Sequence, residues 1–215
     1  MRCRRLVSGL AAAMLWIAAA GLASAQPVQP PDAPTAFEAL LARVKASDPA
    51  VDFAELRRLY AASPAYTPLR DVDEPRLREV MARRADRMTL DVARAILERN
   101  YLNVDAHLAA AAACEALADM ACRLHHEYVA RGILDSIGRS GDGRTLETAW
   151  VVISVPEEYA VAAVLGVRVI GQEVVRRDSR YYDRLTVRDP DTGAERELFF
   201  DIDLIYAATQ RSLKP

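Results

Sequence analysis

Histidine and cysteine are scarce in this sequence, three of each among 215 residues. No His-x-x-x-His and no Cys-x-x-Cys occurs, so a zinc hydrolase would need unusual ligands and a redox dithiol of the usual spacing is excluded. No serine stands in a nucleophile-elbow pattern. No stripe of basic residues is present, which argues against nucleic acid and against anionic membrane surfaces as partners. Beyond the first 25 residues no apolar run is long enough to span a bilayer; "AHLAAAAACEALADMA" is alanine-rich but broken by acids. Nothing in the sequence demands a cofactor, a metal or a catalytic constellation.

What is present begins with a leader. "MRCRR" is a basic start, "LVSGLAAAMLWIAAAGL" an apolar core, and "ASA" supplies the small residues of a cleavage site. The expectation is a signal peptide over residues 1–25, cut between Ala25 and Gln26, and a protein that is exported, periplasmic or secreted. An uncleaved anchor is the competing reading, but the run is short for a span. Cys3 precedes the apolar core, where a lipoprotein cysteine cannot lie. Cleavage takes away three of the 28 basic side chains and none of the 30 acidic ones, leaving a net charge of about −5. Cys114 and Cys122 remain. In an oxidising compartment they form a disulfide or stand as free thiols; a loop this short stabilises by about 2.5 kcal/mol in the chain-entropy view.

Residues 26–35, "QPVQPPDAPT", read as a flexible Pro-rich segment. Residues 36–138 form a helical half. Phe37, Leu40, Leu41 and Val44 mark one buried helix face, and Phe53, Leu56, Leu59 and Tyr60 a second. Asp73 is placed to cap a helix with Glu74 and Pro75 in its first turn, and Thr89 to cap "LDVARAILERN". Two antiparallel helices then flank a turn near 118–120, with Cys114 and Cys122 on either side of it. Residues 139–215 form a sheet half, one compact unit with the helices. "TAWVVISV" reads as a strand buried on both faces, "PEEYAVAAVLG" as a short helix, and "VRVIGQEVV", "YYDRLTVRD" and "ERELFFDID" as strands. The fold class is therefore α+β: antiparallel helix pairs packed with a β-α-β-β-β, mainly antiparallel, sheet.

"GRSGDGRT", residues 138–145, comes close to a phosphate-binding loop. Such a loop needs a strand before it and a helix after it, so that helix N-terminal amides meet the phosphates. Here a helix precedes and a strand follows, and Arg144 stands where lysine is required. The glycines instead turn the chain into the sheet.

The stretch "SIGRSGDGRTLETAWVVISVPEEYAVAAVLG", with "YYDRLTVRDPDTGAERELFFDID", "LRRLY" and the closing "RSLK", resembles the bacterial family named for domain of unknown function 4919, across roughly residues 50–214. The resemblance implies an exported or envelope-associated bacterial protein. It implies no reaction and carries over no catalytic residue.

Few polar residues stand out. A helical wheel puts His125 near the centre of an apolar arc and His126 at its edge; His125 is a hydrogen-bonded structural histidine or a general base. Strand alternation sets Tyr181, Asp183, Leu185 and Val187 on a buried face and Tyr182, Arg184, Thr186 and Arg188 on a solvated one. Asp183 ties down the strand start or pairs with His125. Asp201 and Asp203, about 7 Å apart on one strand face, are a solvated pair or a cation site. Glu157 and Glu158 complement the dipole of the helix they open. His125, Asp183, Tyr182, Asp201 and Asp203 are the candidate polar residues, none of them assigned a catalytic role. The expectation is a non-enzymatic domain that binds a protein or small-molecule ligand. The alternative is a hydrolase using His125 with a carboxylate such as Asp183. Export leaves a mature chain starting at Gln26, which the intact mass of the exported protein checks; recovery of a chain still carrying residues 1–25 contradicts it.

Overall fold

The chain turns from helix to sheet at residues 139–149, and the described part of the computed structural model, residues 35–212, shows why. Six helices come first: α1 (Ala36–Lys45), α2 (Phe53–Ala62), α3 (Glu74–Ala82), α4 (Asp86–Arg99), α5 (Val104–Ala116) and α6 (Met120–Gly138). Then come β1 (Trp150–Val151), α7 (Val155–Val164), β2 (Arg168–Arg177), β3 (Arg180–Arg188), β4 (Glu195–Asp201) and α8 (Asp203–Ser212). The fold is α+β. The leader, the Pro-rich segment up to residue 34, and the last three residues lie outside the described residues.

Local chemistry sets the helix starts. Thr35 and Glu38 form a reciprocal capping box on α1, and Asp52, Asn103 and Asp119 accept first-turn amides of α2, α5 and α6. The sheet runs β1-β4-β3-β2, with β1 parallel to β4 and the other neighbours antiparallel. Leu185 and Leu198 are directly opposed across β3 and β4, and both are buried. One apolar cluster joins α2 and α6 to the sheet through Leu56, Ile133, Ile137, Leu185 and Phe200. A second lies within α3, α4 and α5, where Ala106, Ala109, Ala110 and Ala113 let the helices approach closely.

The two halves are fastened by a buried ion pair. Arg57 of α2 donates from Nε to Glu157 Oε1 at 2.9 Å and from Nη2 to Oε2 at 2.6 Å. Its remaining donors reach Ser136 Oγ of α6 at 3.2 Å and the Val151 carbonyl of β1 at 2.9 Å. Glu157 of α7 also accepts the Ile153 amide at 2.8 Å. Glu157 is fully buried and Arg57 is 4% exposed. A pair this dry is tolerable only because nearly every donor and lone pair is matched.

The glycine-rich loop is a structural corner. The Asp142 and Gly143 amides both donate to the Thr148 carbonyl, at 3.0 and 2.8 Å, and the Gly143 carbonyl accepts from Phe199. Gly143 has φ +65°, and a Cβ there would sit 2.3 Å from the Trp150 ring. The Asp142, Gly143 and Arg144 amides are spent on the turn.

Several expectations change. "TAWVVISV" forms a strand only at Trp150–Val151; the Val152 amide still donates to the Asp201 carbonyl of β4, and the pairing ends at Ile153, whose amide goes to Glu157. α4 starts at Asp86, so Thr89 lies inside the helix, buried, and caps nothing. Asp73 makes no cap bond and instead accepts from Arg99. The last strand stops at Asp201, and Asp203 opens α8, a helix the strand alternation concealed.

Replacing Arg57 by methionine strands a buried carboxylate and is expected to cost about 3–5 kcal/mol. Replacing Glu157 by leucine in the same chain should restore much of that stability. Denaturant titration of both variants checks this; a single-variant loss below about 1 kcal/mol contradicts the fastening role.

Candidate functional site

Three consecutive residues at the start of α7 face three different environments, and the third opens onto a cleft. Glu157 is held by Arg57. Tyr159 lines a cleft of about 560 Å³ formed by α3, α5, α7 and the segment before α3. Local bonds fix that segment against α7: the Val155 amide donates to the Pro68 carbonyl, and Tyr66 Oη donates to the Ile153 carbonyl at 2.6 Å. Arg99 clamps Asp71 and Asp73, holding the Asp71 carboxyl below its usual range. Arg70 is thereby laid over the Tyr159 ring, 4.3 Å from its centroid.

The cleft holds two unlike carboxylates. Glu74 is buried and well supplied: Arg70 Nη1 donates to Oε2 at 3.1 Å, the Asp71 amide to Oε1 at 3.1 Å, and Asn103 Nδ2 to Oε1 at 3.3 Å. Arg78 Nη1 lies 3.8 Å from Oε2. Asn103 does double work, because its Oδ1 also caps α5 at the Ala106 amide. Asp105, in the first turn of α5, receives no such donors. Burial, then the nearby Glu74 charge, push its carboxyl up to about 6. The wall beside them is apolar: Leu77, Met81, Leu108, Ala109 and Ala163.

Behind Tyr159 lies a second acidic pair. Tyr159 Oη donates to Gln172 Oε1 at 2.7 Å, and Gln172 Nε2 donates to Asp183 Oδ2 at 2.7 Å. Asp183 Oδ1 and both oxygens of Glu158 are buried without a donor. Burial, and then the adjacent Asp183 carboxylate, hold the Glu158 carboxyl well above its usual range. Glu158 is thereby biased towards its neutral form beside Asp183.

The three histidines gather between α5, α6 and the end of α1. His107 Nε2 lies 2.8 Å from the Tyr101 carbonyl, which can only accept, so Nε2 carries the proton. Neutral His107 then accepts at Nδ1 from His126 Nδ1, 2.9 Å away. Burial pushes His107 down to about 3 and His126 to about 4. Contrary to the wheel, His126 is the buried one of the adjacent pair and His125 is partly exposed, because α6 turns its His126 face to α5.

The other sequence candidates fall into separate places. His125 contacts Ser47 Oγ and Tyr101 Oη, each at 2.7 Å, whereas Asp183 bonds Gln172; the two share no hydrogen bond. Ser47 ends α1 at φ 57°, and the amides of Ala46, Ser47 and Asp48 are all bonded to carbonyls of that helix. Among the described residues no carboxylate orients His125, and those three amides offer no oxyanion site. Arg180 draws together Asp201, Asp203 and Tyr182: it pairs with both acids and lies 5.5 Å from the Tyr182 ring. Tyr182 is buried rather than solvated, and the guanidinium of Arg180, two residues before it on β3, lies over its ring. Among the described residues, no group of three or more His, Cys, Asp or Glu side chains is arranged to hold a metal ion, and no helix is long and apolar enough to cross a membrane. The Cys114 and Cys122 sulfurs lie 2.04 Å apart.

The sequence profile of the domain of unknown function DUF4919 matches residues 26–211. The chain belongs to the DUF4919 family. No curated protein and no solved structure matches it. In this DUF4919 chain, sequence reasoning missed Arg57, Arg70, Glu74, Asp105 and Tyr159. Arg57 had a readable signal. Phe53, Leu56, Arg57 and Tyr60 are spaced i, i+3, i+4, i+7, so an arginine occupies a slot on the buried face.

Glu158 generates a pH prediction. Its folded carboxyl titrates above the unfolded one, so the folded state holds a proton that the unfolded state loses. The stability it contributes is complete below the unfolded carboxyl's ordinary value and is lost as pH rises towards the elevated folded value. Glu158→Gln should flatten that decline and be more stable than the natural protein at pH 8. Melting curves from pH 4 to 9 check this, and parallel pH profiles for the two proteins contradict it.

Proposed function

We propose that this DUF4919 chain is an exported protein that binds a small amphipathic ligand in the cleft between α3, α5 and α7 without transforming it. The observation that carries the reading is the cleft itself. Its volume is of the size that takes a small molecule, and apolar side chains line it beside a few fixed charges. Met81 and Leu108 are 43% and 37% exposed there, apolar surface that a ligand would cover. The charged groups are pre-positioned: Arg70 by Tyr159 and Glu74, and Glu74 by Asn103.

Binding is favoured over hydrolysis because the polar groups of the cleft include no nucleophile paired with a base. Export accords with the leader sequence and with cysteines placed for a disulfide that closes the α5–α6 turn. In the exported protein the Cys114–Cys122 bond forms and neither thiol is free.

Ligand-observed NMR with a set of small amphipathic molecules tests the cleft. Ala163, exposed on its wall, is replaced by tryptophan to fill the space without entering the core. Compounds that bind the natural protein should lose binding to Ala163→Trp while its melting temperature stays within a few degrees. Binding that survives the substitution places the ligand elsewhere and contradicts the proposal.

A further inference from the structure

Within one cleft, one carboxylate is saturated with donors and its neighbour has none. Glu74 takes three hydrogen bonds, and the guanidinium groups of both Arg70 and Arg78 are turned to it. Asp105 feels Glu74, Arg70 and Arg78 electrostatically, yet no hydrogen bond or ion pair to its side chain is made among the described residues. Asn103, two residues before it, spends its amide on Glu74 and its oxygen on the α5 cap. Arg70 bonds Glu74 and Arg78 lies nearest to Glu74, so neither guanidinium donates to Asp105, and a half-buried carboxylate without a donor is costly.

Resting on the cleft reading above, we infer that the ligand carries a protonated amine that Asp105 binds, with a hydrocarbon body laid along Leu77, Met81, Leu108, Ala109 and Ala163. The charges favour this partner over an acid. A ligand carboxylate could reach the exposed guanidinium of Arg78 only beside the carboxylates of Glu74 and Asp105, and like charges in a partly dry site repel. An ammonium group supplies the donors that Asp105 lacks and forms a charge-assisted hydrogen bond. The apolar wall then selects for an alkyl or aryl substituent, because it is the exposed hydrocarbon of Met81 and Leu108 that gains most from being covered.

Asp105 also makes the charge of the ligand readable from pH. Its carboxyl, lifted to about 6 by burial and Glu74, is mostly ionised at pH 7 and mostly neutral at pH 5. Ammonium affinity therefore rises as pH passes upward through about 6 and levels off above it. Carboxylate affinity would run the other way.

The test titrates n-hexylammonium, hexanoate and 1-hexanol into the isotopically labelled protein and follows the amide resonances of α3, α5 and α7. Hexylammonium is expected to bind at least about tenfold more tightly than hexanol at pH 7, and about fivefold to tenfold more weakly at pH 5. Asp105→Asn, which keeps the shape of the side chain, should remove the advantage over hexanol, and Asp105→Glu should keep part of it. If hexanol or hexanoate shifts the cleft resonances and hexylammonium binds no better than hexanol, the amine is overturned and the cleft stands. If hexylammonium binds equally well to Asp105→Asn, Asp105 is not its partner and the inference is likewise overturned. If none of the three probes perturbs the cleft, the cleft reading fails together with the inference.

Discussion

The bidentate contact between Arg57 and Glu157 is the constraint on which the rest of the fold depends. It gathers α2, α6, β1 and the first turn of α7 around a single guanidinium group. Hydrocarbon alone could hold a helix layer against a sheet, but hydrocarbon contacts tolerate sliding and rotation. A planar fork that must meet two oxygens, a hydroxyl and a carbonyl at once does not. The pair's net stability is small, because both ions have left water. Its consequence lies in position: α7 can enter at one angle and one rotation only.

That rotation sets the surroundings of the next two side chains. With Glu157 held to Arg57, Glu158 is turned inward to Asp183, and Tyr159 is turned to the cleft, with its hydroxyl on Gln172. Arg70 lies on the Tyr159 ring and reaches Glu74, so the cleft is linked through side chains to the core of the sheet. Neighbouring sites of very different polarity are thus built from one helical turn. Glu158, biased towards its neutral form, fills a buried place beside Asp183, and the half-buried Asp105 lines the cleft.

The sequence disclosed the architecture more fully than the site. Helix periodicity located α1, α2, α5 and α6, and the change to β-branched runs after Gly138 marked the sheet half, because those signals arise from burial of whole faces. The run "TAWVVISV" misled because a buried extended segment has the same composition whether or not its backbone joins a ladder. α8 was hidden by alternation in "ELFFDID", which continues smoothly into the helix after Asp201. The candidate site was less legible. Arg57, Glu157 and Glu158 are charged residues on buried faces, and a reading by hydrophobicity assigns charge to the surface. The helix-dipole reading of Glu157 and Glu158 found the correct turn but not the burial. His107, inside the alanine run of α5, gave no local signal that it would meet His126. The segments that bring Arg70, Glu74 and Asp105 together are distant in sequence, and nothing short-range encodes their meeting.

Because the ion pair joins the halves, they should unfold together. The most direct measurement is equilibrium unfolding of residues 26–215, with the helices followed by far-ultraviolet circular dichroism and the sheet half by the fluorescence of Trp150, the one tryptophan left after Trp16 is removed. Trp150 lies in β1, next to the Val151 carbonyl that Arg57 holds. Coincident transitions with one midpoint are predicted. A helical signal that persists after Trp150 has become exposed would contradict the view that one buried contact makes a single unit of helices and sheet.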